Sequence, residues 1–289
     1  MKLSRFAWTL WALVPVGLLA FHFGPGQAAF REARAAALVE KADGLQQEAL
    51  RLQGIAYDAH LAAIEARLAA FGKDEEPLHA AARDANAREE AAYAVAADAW
   101  KKTADALAEA QAQVDELGGT AREEIRVAKA RALVRTGDVA SGANELEDYL
   151  YDAQERGELS SDLAREAREE LATAYYYGAR LMRLAGKPAD EWRDVASRAR
   201  QNFRYLAEDA KARGAAPEVV ANHQKNGELV LNLEQSALDE LYAKPRPKDS
   251  PTGKCNGLGN QPRPGKRGNK PGDKPAKGAG MNGEIGDGW

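Results

Sequence analysis

Two interleaved series of small and aliphatic residues, each repeating every seven positions, run through the first quarter of this chain. Leu38, Leu45, Leu52, Ala59 and Ala66 form one series; Ala42, Ala49, Ala56, Ala63 and Ala70 form the other, offset by four. A strand alternates faces with period two and cannot keep such a series on one side, whereas an α-helix brings positions three and four apart onto one face. The pattern predicts a long helix with a leucine and alanine seam, the small row letting a partner helix approach closely. Gly72 to Pro77 breaks it. A second seam follows in Tyr93, Trp100, Leu107 and Val114, with Ala96, Thr103, Ala110 and Leu117 three further on. The two predict an antiparallel hairpin over residues 29–118, roughly 60 Å long at about 1.5 Å per residue, unless Gly44 or Gly54 breaks the first arm.

Helical spacing continues to residue 243. Ile125, Ala128 and Ala132 form one stripe, and Val127, Ala130 and Val134 a second. After Gly137-Asp138 the stripe Val139, Gly142, Leu146, Tyr149 and Ala153 resumes. Gly just past a helix end supplies a left-handed residue, and Asp beside it caps the next helix. Further helices are expected at about 161–185, around Trp192, Val195, Ala199, Phe203 and Leu206, and from Pro217 through Val230 to Leu241. No stretch carries a strand signal. The fold class is all-α.

Both ends differ from this body. Residues 6–23, FAWTLWALVPVGLLAFHF, follow Lys2 and Arg5 and would span roughly 27 Å as a helix, against a hydrocarbon core of about 30 Å. We read residues 1–28 as an uncleaved signal anchor; the alternative is a signal peptide cut near Ala28, where Gly26-Gln27-Ala28 has the small-x-small form. Either places the body outside the cytoplasm, because positive charge ahead of the segment stays inside. Residues 244–289 hold 11 Gly and 7 Pro, too few apolar side chains to offset chain entropy, and are expected to be a disordered tail. That tail has 10 basic and 4 acidic residues, while residues 30–243 have 28 basic and 40 acidic. An acidic body has no bulk attraction for nucleic acid.

Catalytic chemistry finds little footing. The four histidines, His22, His60, His79 and His223, do not cluster, and none has a second metal ligand at helical spacing, so no metal or cofactor is expected. His223 reads as a packed core histidine. Gly257-Leu258-Gly259 lacks the strand and helix that a phosphate loop needs, and pairs such as Glu123-Glu124 belong to charged helix faces. With Cys255 alone, no disulfide can close within the chain. The local oddity is Tyr175-Tyr176-Tyr177. Successive helix residues point about 100° apart, so at least one ring is expected near the surface. With Trp192 on the next helix, and Arg180 and Arg183 on the same one, these residues form a candidate protein-binding surface.

The pairing of helices with a small residue and a large apolar one four apart, as at Ala96/Trp100 and Gly142/Leu146, with Gly137-Asp138 at the turn between, resembles tetratricopeptide-repeat (TPR) proteins over residues 80–240. Ala96 and Gly142 stand 46 residues apart where the family repeats at 34, and the family's first-helix Trp and Leu-Gly are missing. The order of anchor, TPR-like body over residues 119–243 and Gly/Pro/Lys tail is similar to the TPR proteins of bacterial aerotolerance clusters, which accompany MoxR-type ATPases and von Willebrand A proteins. The resemblance implies a non-catalytic envelope adaptor that binds other proteins; the heptad hairpin suggests, alternatively, a coiled-coil-like spacer or oligomerisation protein.

Overall fold

In the computed structural model, residues 2–115, 119–243, 247, 250 and 251 are described, and among them every regular element is an α-helix. Helix α1, Lys2–Phe23, meets α2, Pro25–Ala70, at Gly24. Every side chain described in α1, from Trp8 to Phe23, is exposed; Trp11 and Phe23 are about three-quarters so. Among the described residues no single helix is long and apolar enough to cross a membrane. Leu13–Phe23 meets that measure only together with the helix after it, from which it is bent by 49°.

Helix α2 runs unbroken through Gly44 and Gly54, and α3, Glu76–Val114, returns along it. Arg34 meets Glu109, His60 meets Glu89 and Arg67 meets Asn86, a descending register that makes the pair antiparallel. The packing follows the heptads. Ala42, Ala49, Ala56, Ala63 and Ala70 are all buried, Ala49, Ala56 and Ala63 completely, and from α3 so are Tyr93, Ala96, Trp100, Thr103, Leu107, Ala110 and Val114. Leu117 lies outside the described residues. Leu38, Leu45 and Leu52 flank the alanine row as partly buried residues, so the small row sets how closely the two backbones approach.

Helices α4, Thr120–Thr136, and α5, Val139–Glu155, close the second hairpin. Gly137 is left-handed at φ 95°, and the Asp138 carboxylate accepts from the Ser141 amide at 3.2 Å. Then come α6, Asp162–Leu184, capped by the Ser161 hydroxyl; α7, Ala189–Ala212; α8, Pro217–Gln235; and α9, Leu238–Ala243. Each helix from α2 to α7 packs on the next, and α4 also touches α6. A continuous apolar core links α4 to α9, with Val127, Leu146, Tyr175, Trp192, Phe203 and Val230 among its members.

Two expectations need correction. Residues 217–241 are not one helix: α8 stops at Gln235, and Arg183 of α6 donates to the carbonyls of Leu233 and Ser236 at that end. Nor does the tail depart cleanly at 244. Ser250 and Pro251 are buried, and the buried Gln53 amide of α2 donates to the Ser250 carbonyl at 3.0 Å, satisfying a polar group inside the packed face. The remainder of the expected tail, residues 244–246, 248, 249 and 252–289, lies outside the described residues.

Candidate protein-binding site

Helix α6 carries most of the residues singled out in the sequence, and it is enclosed by α5 and α7 and touched by α4. That enclosure decides their roles. Tyr175 and Tyr177 are buried, and Tyr176 is half-buried against the same core, the nearest of the three rings to the surface. The Tyr175 hydroxyl donates to Glu147 of α5, while Arg198 of α7 stands 3.9 Å from that carboxylate and 5.8 Å from the Tyr175 ring. Burial first, then the charge of Glu147, push the Tyr175 phenol well above the usual tyrosine value. Tyr177 lies under the Arg135 guanidinium at 5.7 Å.

Trp192 is also buried, with the guanidinium groups of Arg183 and Arg193 4.8 and 5.1 Å from its ring centre. Arg180 is buried and donates to the Leu241 carbonyl of α9 at 3.4 Å. Arg183 holds the end of α8, and burial together with Arg193 lowers its pKa from the ordinary arginine value. Tyr175, Tyr177, Arg180 and Trp192 are thus core residues of the joint between α5 and α9 and not an open contact surface. The reason is local: α8 and α9 end beside α6, and their free terminal carbonyls take the arginine donors that the sequence leaves available to a partner. Of the six, only Tyr176 and Arg183 keep part of their surface.

Histidine placement follows the same logic. His223 is buried with its Nδ1 4.0 Å from Glu169, as a packed residue. His60, in contrast, belongs to a polar inclusion in the hairpin that periodicity did not reveal: its Nδ1 lies 2.8 Å from Glu89, and Arg67 donates to Asn86 at 2.6 Å and reaches Glu89 at 3.5 Å. Among the described residues no group of three or more His, Cys, Asp or Glu is placed to hold a metal ion.

An open concavity lies elsewhere, where α2, α3 and α4 diverge. It is a cleft of about 500 Å³ with Val39, Leu107, Val114 and Ile125 among its apolar residues, and Ala35, Ala42 and Ala128 forming small patches between them. Its rim carries Glu32, Glu40 and Asp43 from α2 and Glu124 from α4. No lysine or arginine lines it. On α2 the acids flank the small row at helical spacing and were visible in the sequence; the opposing wall is not, because it depends on how α4 crosses the hairpin.

No known family model matches the chain, and neither curated proteins nor solved structures give a match. In the structure the helix pairs α4–α5 and α6–α7 begin at Thr120 and Asp162, and α8 begins at Pro217.

Proposed function

We propose that this chain is a non-catalytic, membrane-anchored protein whose helical body lies outside the cytoplasm and binds other proteins as an adaptor in an envelope complex. The observation that carries the reading is the contrast between α1 and the rest. An apolar helix with all its described side chains exposed has no protein core to bury them, and a bilayer supplies one. Lys2 and Arg5 ahead of it favour the outward orientation. Behind it, consecutive helices packed neighbour on neighbour support a TPR-like use of the body, in which stacked helix pairs present a concave surface. The cleft between α2, α3 and α4 is the concavity that we assign to a partner.

A second reading, a spacer or oligomerisation protein, draws on the far half of the hairpin. There Leu50, Leu61 and Leu68 are exposed along α2, Phe71 just past its end, and Val95 along α3. The two readings part on one experiment. The full chain, extracted from membranes in detergent and purified by a C-terminal tag, is expected to bring down a second protein in fixed ratio and to be monomeric by light scattering once stripped of it. A self-associated chain without a second protein would instead favour the spacer.

A further inference from the structure

Helix α4 is rich in positive charge, yet none of it faces the cleft. Arg122 turns to Asp115 at 3.1 Å, Arg126 donates to Asp152 at 2.6 Å and lies 3.5 Å from Glu145, Lys129 donates to Glu145 at 3.0 Å, and Arg131 donates to Glu170 at 2.8 Å. Arg135 lies 3.6 Å from Glu170. Burial alone would lower the Arg126 pKa, but the hydrogen bond to Asp152 and the charges of Asp152, Glu123 and Glu145 outweigh it and raise the value. What α4 turns toward α2 is Ala121, Glu124, Ile125 and Ala128. Across from it, Arg34 of α2 is engaged with Glu109 of α3. The cleft is left with an apolar floor and four exposed carboxylates, Glu32, Glu40, Asp43 and Glu124, none of which has a cation partner among the described residues.

Charge and shape both bear on what fits. On α2 the lining runs from Glu32 to Gln46, roughly 21 Å at about 1.5 Å per residue, the length of about four helical turns. Ala35 and Ala42 are themselves buried in the hairpin seam, so the apolar surface open to a partner comes from the half-buried Val39 and Ala128 and the exposed Ala36 and Ala121. Like charges concentrated on both walls repel an acidic segment and draw in a basic one, with Val39, Ala36, Ala121 and Ala128 adding apolar contact between them. We infer that the cleft is the docking site for a basic amphipathic helical segment of a partner protein, its apolar side chains against Val39 and Ala128 and over the edges of the buried Leu107, Val114 and Ile125, and its lysines or arginines on the four carboxylates. This rests on the assignment of the cleft to a partner made above and adds the chemistry of that partner.

The test uses the full chain in detergent micelles and two fluorescent synthetic helical peptides with the same leucine stripe, one flanked by lysines and the other by glutamates. The lysine peptide is expected to bind at least about tenfold more tightly, and more weakly as salt is raised. Asp43→Lys and Glu124→Lys, both at exposed positions, are expected to cost about tenfold in its affinity while leaving the thermal midpoint unchanged. A control charge reversal outside the cleft, Glu65→Lys, should leave binding intact. Equal binding of the two peptides, or equal loss in the control, overturns the inference. So does a finding that the cleft is covered by a second copy, seen as dimers broken by Asp43→Lys. The outcome is separable from the adaptor reading: a membrane partner captured by a chain with no preference for the lysine peptide leaves that reading standing, and a preference for the peptide with no captured partner does the reverse.

Discussion

Gly142 shows how one atom fixes an interface. A Cβ there would lie 2.5 Å from Val134 Cγ2, 2.7 Å from the Ala130 carbonyl oxygen and 2.9 Å from the Val134 nitrogen, so α4 and α5 would have to separate. Gly142→Ala is expected to lose about 1–3 kcal/mol by denaturant titration, because overpacking outweighs the roughly 1 kcal/mol alanine gains in helix preference. The sequence marks 142 as a small position on the right stripe; that alanine is already too large depends on the backbone of α4. Tyr175 has a pH signature. Its phenol is held neutral in the fold, raised above the ordinary value of about 10, so the unfolded chain ionises first. The stability from this group is complete below about pH 10 and is lost as pH rises through the folded value. Thermal melts between about pH 9 and about pH 11 are expected to fall more steeply for the native chain than for Tyr175→Phe. Tyr176→Ala, at the half-buried ring, is expected to cost less stability than Trp192→Ala, which should lose about 3–5 kcal/mol.

Among the elements, the first hairpin was the most legible in the sequence, because the same seven-residue rows that predict it are the rows it buries. Ala56 is fully buried between α2 and α3, whereas Ala62, further along α2, faces solvent. Ala56→Leu is expected to destabilise by about 1–3 kcal/mol and Ala62→Leu to stay within about 0.5 kcal/mol, measured by denaturant midpoints at constant slope. The last helices were less legible. Spacing from Val230 to Leu241 stays helical in period, but Arg183, some fifty positions earlier, takes the carbonyls of Leu233 and Ser236, and the chain turns there. Arg183→Ala is expected to loosen α8, seen as faster amide exchange over residues 230–235, because it leaves those carbonyls without the charged donor. A period reports which face of a helix is apolar. It does not report a long-range donor that ends one.

At the scale of the whole chain, the order of helices and the abrupt change of composition near 243 could be read directly, while the cleft could not, since its walls come from three helices far apart in sequence. The buried Ser250 and Pro251 were hidden for a related reason: a Pro-rich segment with little apolar surface gives no sign that Gln53 awaits its carbonyl. The anchor reading expects the purified membrane form to keep the mass of a chain beginning at residue 1; a start near Ala29 or Phe30 would mean cleavage. The central claim is that the body binds a protein in the cleft of α2, α3 and α4. Its most direct measurement is photo-crosslinking in intact membranes from a photoreactive residue placed at Val39, inside the cleft, and at Ala62, on the solvent face of the hairpin. The account predicts a defined adduct with a second protein from position 39 only, lost with Asp43→Lys. No adduct with another protein from position 39, or equal adducts from both positions, would contradict it.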